Sequence, residues 1–306
     1  MSKFILMCGL PASGKSHFAK EIAEQENAII HASDILRKEL FGNEESNDKN
    51  DELFNELHKR IKDDLKLGRN VIYDATNIHY KRRKAFLEEL KKIGCEKICY
   101  LIATPYEKCL HQNKQRSRTV PEHIIKRMYM NFYIPQYYEG WDKIEIIWNT
   151  DGYEFDLHEL FNGVNGLNYI NQNNKHHDYT IGHHCLKCSV ECEMLTDDYE
   201  VITAGLFHDI GKRFTKVFYN TKGDPTEEAH FYQHHLVSAY DSLFYEKDKD
   251  TNTLLNIINY IQWHMQPHLC QSERERSKFI DMVGERFYNR LSVLHEADKR
   301  ASKETQ

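Results

Sequence analysis

The sequence predicts an α/β P-loop domain, a parallel sheet flanked by helices, followed by an all-α domain. Three observations predict this division. Up to about residue 150, short apolar runs alternate with polar helical segments, the pattern of a parallel sheet with crossover helices. A segment rich in Asn and Gly comes next, and such segments favour turns. Beyond it, apolar residues recur at helical spacing, and 306 residues are enough for two domains.

Each predicted strand is a short apolar run. The five runs are residues 3–8, 28–31, 71–73, 97–103 and 144–148. The first run leads into a glycine-rich loop and then a helix-compatible stretch from His17 to Gln25. In the second half, residues such as Leu254, Ile257 and Ile261 lie on one helix face. We therefore expect domains at residues 1–150 and 175–306, with a linker at 151–174.

Composition separates the two halves. The chain carries a net charge of −6, which divides into +3 for residues 1–150 and −9 for the rest. The second half holds 12 of the 18 histidines, so it is the half able to combine imidazole with carboxylate in a metal site. No apolar run reaches membrane-spanning length, and the N-terminal run is too short for a signal peptide. We expect a soluble, cytoplasmic protein with no membrane partner.

The eight cysteines are expected to be reduced thiols, since no secretory signal accompanies them. Cys185, Cys188 and Cys192 are spaced as zinc ligands sometimes are, but the sequence has no second CxxC pair. The same spacing lies along one helix face. Buried core thiols are therefore favoured over a zinc site.

A phosphate-binding loop succeeds the first predicted strand. Residues 9–16 match G-x-x-x-x-G-K-[ST] at each fixed position, from Gly9 through Ser13, Gly14 and Lys15 to Ser16. In such loops, backbone N–H groups bind the phosphates of ATP or another nucleoside triphosphate, the lysine reaches the β/γ oxygens, and the hydroxyl ligates Mg²⁺. The motif predicts nucleotide binding but not the acceptor.

Candidate acceptor-site residues come after the second and third predicted strands. Asp34 and Arg37 lie three residues apart on the first turn of a predicted helix, where a base and an anion contact are useful for phosphoryl transfer. A helix N-terminus with a surface arginine is the alternative. Asp74 is placed at a strand's carboxyl end, and the basic run at 81–84 is expected to be a solvated helix face. Residues 111–127 form a basic patch at the position of a mobile lid in P-loop kinases.

Residues 3 to about 148 resemble the 5′-kinase domain of phage-type polynucleotide kinases. The matching segments are Gly9 to Ser16, Ser33-Asp34-x-x-Arg37, Asp74-Ala75-Thr76-Asn77, and a lid of the form Asn113-x-x-Arg116 with Val120-Pro121 and Met128-Tyr129 after it. The resemblance implies that Asp34 is the general base toward a 5′-hydroxyl, Arg37 an acceptor phosphate contact and Arg116 the lid arginine. Where that family often has a second lid arginine, this chain has Gln112, for which Arg118 is the available substitute.

Histidines and aspartates of the second half recur at helix-separated intervals. His208-Asp209 ends an apolar helical run and precedes Gly211-Lys212. Adjacent imidazole and carboxylate can share one divalent cation, and the carboxylate can bridge to a second. The companions are His184, His234, His264 and Asp298.

Residues 177 to about 301 resemble the HD phosphohydrolase superfamily, in wording closest to the HD domain of bacterial CCA-adding enzymes. The resemblance implies that His184, His208, Asp209 and Asp298 are the ligands of one metal and that His234 and His264 complete a dinuclear site. His184 is preferred over His183 because His177 lies seven residues before it, as in the family pattern. His230, His235 and His268 are expected to be neighbours or surface residues. His-rich sites with carboxylates suit Mn, Fe, Co, Ni or Zn, and Lys212 is suited to the phosphate's charge.

These features lead to one main hypothesis and two alternatives. The main hypothesis is a bifunctional end-healing enzyme that phosphorylates 5′-hydroxyls and removes 2′,3′-cyclic or 3′-phosphates from RNA or DNA ends, with an RNA ligase as a further partner. One alternative is a nucleoside or nucleotide kinase fused to an HD nucleotidase, which would be indifferent to salt. The other is a nucleotide-gated binding module without catalysis.

Overall fold

The computed structural model describes residues 1–42, 49–270 and 272–303. The chain forms two compact units. The first contains Met1–Met128 and Pro135–Gly152, and the second contains Tyr129–Ile134 and the chain from Tyr153 onward. Among the described residues, no helix is both long and apolar enough to cross a bilayer.

The first unit is built on a five-stranded parallel sheet. Its strands are β1 (Lys3–Cys8), β2 (Ala28–Ala32), β3 (Asn70–Asp74), β4 (Glu96–Ala103) and β5 (Lys143–Trp148). Their order in the sheet is β2-β3-β1-β4-β5, and every neighbouring pair is parallel. The five predicted strands and the predicted α/β class are therefore confirmed. Strand β1 is central and its residues Phe4 to Cys8 are buried, as expected for a strand covered by helices on both faces.

Helices connect the strands of this sheet. They are α1 (Lys15–Glu26), α2 (Ser33–Phe41), α3 (Asn50–Lys66), α4 (Tyr80–Leu90), α5 (Tyr106–Lys114) and α6 (Glu122–Tyr129), and a 3₁₀ turn covers Tyr137–Glu139. One core cluster joins Ile5 and Met7 of β1 to Ala19 and Ile22 of α1. This packing holds the start of α1 against the carboxyl end of the central strand, where ligands bind in such sheets.

The basic run on α4 differs in one residue from the solvated face that the sequence predicts. Lys81 and Arg82 are exposed, but Arg83 is buried. Its guanidinium forms an ion pair with buried Glu139. The expectation of a wholly solvated face was wrong because a charge 56 positions later in the chain compensates the buried guanidinium.

The second unit is helical, as predicted, with one antiparallel hairpin added. Its helices are α7 (Leu157–Asn162), α8 (Ile181–Leu195), α9 (Tyr199–Phe207), α10 (Lys212–Thr215), α11 (His234–Tyr245), α12 (Thr251–Trp263), α13 (Gln266–Leu269), α14 (Glu273–Val283) and α15 (Glu285–Ala301), with a 3₁₀ turn at Leu167–Tyr169. The hairpin pairs β6 (Lys216–Tyr219) with β7 (Pro225–Phe231). Cys185, Cys188 and Cys192 are buried on α8, which agrees with core thiols.

Six residues from the middle of the chain are packed in the second unit. Phe132 and Ile134 are fully buried there, and the N–H of Ile134 donates to Oε1 of Gln262 on α12 at 2.7 Å. The ring of Tyr129 packs edge-on against Tyr240. The apolar side chains of this segment thus belong to the helical core.

Candidate active sites

The loop between β1 and α1 has the backbone conformation that phosphate binding needs. Gly14 precedes α1 with φ of +93°, a left-handed conformation that favours glycine. A Cβ at Gly9 would meet Ser13 Oγ at 2.7 Å, so a side chain there would force the loop to shift. The loop ends at the N-terminus of a twelve-residue helix, which favours anions.

Two side chains that the sequence analysis did not single out hold this loop in place. Thr104, after β4, donates its hydroxyl to the carbonyl oxygen of Ser13 at 2.9 Å. Asn149, after β5, donates its amide to the same oxygen at 3.1 Å. Both positions come directly after a strand's carboxyl end, which is the only sequence signal that could have found them.

Lys15 and Ser16 occupy the positions that the motif predicts at the start of α1. The Lys15 ammonium donates to the carbonyl oxygen of Leu10 at 2.7 Å. Burial lowers the pKa of Lys15, and the carboxylate of Asp74 opposes that shift. The Ser16 hydroxyl donates to Oδ2 of Asp74 at 2.7 Å. This pair of oxygens from adjacent elements suits Mg²⁺, which prefers oxygen ligands.

Asp34 lies beside two guanidinium groups. Its Oδ1 is 3.3 Å from Nη1 of Arg37, and its Oδ2 is 3.7 Å from Nη1 of Arg118. The Asp34 side chain is 55% exposed, whereas that of Arg37 is 9% exposed. Nη2 of Arg37 donates to Oδ1 of Asn50 at 2.9 Å, and its buried Nε donates to no described residue. An exposed carboxylate beside fixed positive charge can accept a proton next to an anionic group.

The segment predicted as a lid, residues 111–127, comprises the end of α5, the loop that follows and most of α6. The Asn113 side chain bonds the backbone of Val120 twice, donating to its carbonyl oxygen at 2.8 Å and accepting from its N–H at 2.9 Å. Arg116 is exposed in the loop that these two bonds close. Its charge contributes to lowering the pKa of Lys15. Gln112 is partly buried.

The second unit gathers six of the predicted residues into one cluster. Five elements supply them: α8 carries His184, α9 leads into His208 and Asp209, α11 begins with His234, α12 leads into His264, and α15 carries Asp298. The cluster contains two groups able to hold a metal ion, one of His184, His208 and Asp298 and one of Asp209, His234 and His264. Neighbouring His183 is exposed.

Distances within the cluster match those between ligands of a shared ion. Nε2 of His184 lies 3.1 Å from Nε2 of His208 and 3.1 Å from Oδ1 of Asp298. Oδ2 of Asp209 is 3.2 Å from Nε2 of His184, and its Oδ1 is 3.1 Å from Nε2 of His234. Ligands at about 2.1 Å from a metal lie about 3.0–3.4 Å apart at adjacent positions. The two carboxylate oxygens of Asp209 therefore face different groups, Oδ2 the one that contains His184 and Oδ1 the one that contains His234.

Hydrogen bonds orient the four imidazoles. In each ring Nδ1 bonds a backbone carbonyl oxygen. The partner of His184 is Ala301 at 3.3 Å. The partners of His208, His234 and His264 are, in that order, Gly205, Phe231 and Ile261, each at 2.8 Å. When Nδ1 carries the proton of such a bond and the ring is neutral, Nε2 can offer a lone pair to a metal ion at the centre. Lone pairs facing each other at 3.1 Å are stabilised by a cation between them.

The carboxylate of Asp209 gives a second test of metal fit. Its buried Oδ1 receives no hydrogen bond from any residue in the described ranges. Burial opposes ionisation, but His208 and Lys212 hold the pKa of Asp209 well below its usual range. A buried, charged and unpaired oxygen beside two imidazoles is costly unless a cation binds it. The residues present therefore fit a divalent metal.

Local packing places the His-Asp pair and Lys212. A Cβ at Gly211 would meet the Ser238 nitrogen at 2.5 Å, so glycine allows α11 to approach. The N–H of Gly211 donates to Oγ of Ser238 at 2.9 Å. Lys212 is buried, and its ammonium contacts Oδ2 of Asp209.

Three further histidines were expected to be neighbours of the cluster or surface residues, and two of them, His235 and His268, contact it. His268 is partly exposed and lies 3.6 Å from Oδ2 of Asp298. The ring of His235 packs near that of His264, and burial lowers the pKa of His235 to about 3. His230 stacks on Tyr232 on the hairpin.

Comparisons with known proteins match one family to each half of the chain. Residues 4–135 match the AAA domain family (AAA_33), and residues 181–301 match the HD domain family. The chain carries a kinase-type P-loop domain joined to an HD domain. Kinase and HD domains imply the use of a nucleotide and of divalent metal.

One curated protein and several solved structures are similar to part of the chain. The L-seryl-tRNA(Sec) kinase of Methanococcus maripaludis is 29% identical over 174 residues, which are 54% of this chain and 65% of that protein. The match thus spans just under two thirds of the relative. A candidate kinase from Chloroflexus aurantiacus has a TM-score of 0.41 and 16% identity, over 52% of this chain and 91% of that one. A chain of the Pnkp1/Rnl/Hen1 RNA repair complex has a TM-score of 0.36 and 22% identity, over 42% of each chain.

Proposed function

We propose that the protein heals nucleic-acid ends in RNA repair. The P-loop domain acts as an ATP-dependent 5′-hydroxyl polynucleotide kinase, and the HD domain removes 2′,3′-cyclic phosphate or 3′-phosphate. The products, a 5′-phosphate and a 3′-hydroxyl, are the ends that an RNA ligase joins. The presence of a kinase-type domain and an HD domain in one chain supports the combination of these two reactions.

The observation that carries the kinase proposal is the position of Asp34 beside Arg37 and Arg118. The exposed carboxylate accepts the proton of an attacking hydroxyl. The buried Arg37 binds a phosphate close to that hydroxyl. A 5′-terminal nucleotide of a strand offers both groups, since its 5′-hydroxyl and its 3′-phosphodiester belong to one ribose.

The donor side of the reaction uses the loop and the lid. Backbone N–H groups of residues 9–14 and the ammonium of Lys15 bind the phosphates of ATP, and Ser16 and Asp74 would hold Mg²⁺. Arg116 in the lid approaches the transferring phosphate, where positive charge stabilises the transition state.

The hydrolytic site uses the cluster in the HD domain. His184, His208, Asp209 and Asp298 would hold one metal ion, and His234, His264 and Asp209 a second. A bound transition metal supplies a Lewis acid that polarises the phosphoryl group and activates water. Lys212 adds a fixed positive charge for the phosphoryl oxygens.

A second candidate acceptor is favoured by the curated relative. An L-seryl-tRNA(Sec) kinase phosphorylates a hydroxyl on an amino acid carried by tRNA, and 174 residues of this chain match one at 29% identity. In that case Asp34 would accept the proton of a seryl hydroxyl. Arg37 would bind the phosphate backbone of the tRNA end.

One experiment separates these functions. The protein is incubated with ATP, Mg²⁺, Mn²⁺ and a short RNA bearing a 5′-hydroxyl and a 2′,3′-cyclic phosphate, and both ends are read by mass spectrometry. Seryl-tRNA, nucleosides and nucleotides are tested in parallel. Asp34→Asn and Asp209→Asn serve as each other's controls, because each lies in a different unit.

We expect a 5′-phosphate that Asp34→Asn abolishes and a loss of the cyclic phosphate that Asp209→Asn abolishes. Phosphorylation of seryl-tRNA with the RNA 5′ end unchanged would favour the second candidate. Reaction with mononucleotides alone, insensitive to salt, would assign the protein to nucleotide metabolism. Unchanged substrates throughout would contradict catalysis.

A further inference from the structure

The loop 171–180 enters the HD site from a segment that sequence analysis treats in part as a linker. A β-bridge between Asn171 and Thr180 closes the loop. Gln172 is 1% exposed, and its amide nitrogen donates to the carbonyl oxygen of Tyr179 at 3.2 Å. Its amide oxygen accepts from the ammonium of Lys212 at 2.8 Å. The glutamine therefore connects this loop to the lysine.

The ammonium of Lys212 has three acceptors for its three N–H bonds. They are Oδ2 of Asp209 at 2.5 Å, Oε1 of Gln172 at 2.8 Å and Nε2 of His177 at 3.3 Å. The centroid of the Phe231 ring lies 5.3 Å from the ammonium nitrogen, a cation–π contact. The His177 bond is the longest of the three, so it is the weakest and the one that another acceptor displaces most easily.

A lysine side chain has four rotatable bonds, so the position of its charge depends on the groups that bind the ammonium. Asp209 attracts the ammonium toward the metal-binding groups. Gln172 accepts a second hydrogen bond from the ammonium and is itself bonded to Tyr179. The ammonium therefore contacts both Asp209, a member of the metal-binding cluster, and Gln172.

We propose that Gln172 is a positioning residue that holds Lys212 in the place where its ammonium binds the phosphoryl group. The proposal rests on the phosphohydrolase function proposed above. On this proposal Gln172 acts on the phosphoryl group only through its contact with Lys212. A double-mutant cycle can therefore separate positioning from a structural role.

The cycle uses inorganic phosphate as the probe. Its dissociation constant is measured by calorimetry on Mn²⁺-loaded protein for the unmodified chain, Gln172→Met, Lys212→Met and the double variant. Methionine matches glutamine in length, is one atom shorter than lysine, and removes the polar groups of both. We expect Gln172→Met to weaken phosphate binding about tenfold in the unmodified chain and less than about twofold in the Lys212→Met background.

Gln262→Met is the matched control. Gln262 is equally buried in the same unit, but its amide oxygen accepts from the backbone of Ile134 rather than from a lysine. We expect it to lower the stability without changing phosphate affinity more than about twofold. Bound Mn²⁺, measured by elemental analysis, should be equal in all five proteins.

Two results would overturn the proposal: no phosphate binding by the unmodified protein, or an equal loss from Gln172→Met in both backgrounds. The experiment also distinguishes failure of this proposal from failure of the end-healing function. If the cycle behaves as expected while RNA 3′ ends stay unchanged, the positioning role stands and the substrate is another phosphate ester.

Discussion

Arg83 and Glu139 form a two-point ion pair from which water is excluded. Nε and Nη2 of the guanidinium donate to the two carboxylate oxygens at 2.7 and 2.6 Å, and the two side chains are 1% and 0% exposed. Nη1 of Arg83 also donates to the carbonyl oxygen of Asn77 at 2.8 Å. The pair thus ties α4 and the turn at Tyr137–Glu139 to the loop that begins after Asp74 at the end of β3.

Breaking this pair should destabilise the first unit. Arg83→Met leaves the Glu139 charge buried and unpaired, so we expect the free energy of unfolding to fall by about 3–5 kcal/mol. Arg82→Met, at the exposed neighbouring position, should change it by less than about 0.5 kcal/mol. Denaturant unfolding monitored by circular dichroism measures both. Similar values for the two variants would contradict the assigned role.

Removing the hydroxyl that holds the P-loop should weaken nucleotide binding. Thr104→Val keeps the shape of the side chain but loses the bond to the Ser13 carbonyl. One such hydrogen bond contributes about 1 kcal/mol, so we expect ATP affinity to fall about fivefold by calorimetry with Mg²⁺. Thr226→Val, on the hairpin of the second unit, is the control. An unchanged affinity in Thr104→Val would show that the loop holds its shape without this contact.

Metal binding should separate two adjacent histidines on α8. His184 lies in the cluster and His183 is exposed. At a hundredfold excess of Mn²⁺ over its dissociation constant, we expect metal to stabilise the unmodified protein by about 3 kcal/mol. His184→Ala should remove the part of this gain that comes from the ion at the group containing His184, and His183→Ala should retain the whole gain, as measured by thermal unfolding with and without chelator. A gain in His184→Ala equal to that of the unmodified protein would place the metal elsewhere.

The segment from the middle of the chain should stabilise the helical unit. The hydroxyl of Tyr129 donates to Oδ1 of Asp241. A hydrogen bond to a carboxylate contributes about 1.5–3 kcal/mol, so Tyr129→Phe should lower the free energy of unfolding by that amount. Tyr169→Phe, at an exposed position, should change it by less than about 0.5 kcal/mol. Denaturant titration compares the two, and equal effects would argue against this bond.

Stability of the first unit should fall in mild acid because of His58. Its ring stacks on Phe86 with centroids 3.9 Å apart, and burial lowers the pKa of His58 to about 4. The unfolded chain binds this proton near pH 6.5 and the folded chain does not, so the stabilisation is complete above pH 6.5 and is lost as the pH falls toward 4. Allowing for partial exposure, the loss is about 2 kcal/mol.

His58→Gln tests this prediction because glutamine does not titrate. Denaturant unfolding is measured at intervals between about pH 7 and pH 4 for both proteins. The unmodified protein should lose more stability than the variant across this window. Parallel profiles would mean that His58 takes up its proton as readily in the folded state as in the unfolded chain.

Local sequence patterns predicted the strands because the formation of each strand depends on residues that are neighbours in the chain. The run from Lys3 to Cys8, the glycine-rich loop and α1 are consecutive in the chain, and the structure has them at those positions. The same holds for the helical second half. The hairpin at residues 216–231 was not predicted, since β6 has four residues and its register is irregular.

Partners distant in the chain could not be read from local patterns. Glu139 compensates Arg83 from 56 positions away, and Gln172 holds Lys212 from 40 positions away. Thr104 carries no motif that marks it as a contact of the P-loop. Each of these contacts depends on elements that pack against one another only in the folded chain.

The sequence by itself determined the α/β and helical classes, the phosphate-binding loop and the set of histidines and aspartates from which a metal site could form. Only the tertiary structure decided which of these side chains meet. It brings His184 inward while His183 faces solvent, packs Tyr129–Ile134 with the helical unit and closes Gln172 onto Lys212. The physical reason is that periodicity and turn chemistry act between neighbours, whereas burial and charge compensation act between surfaces that folding brings together.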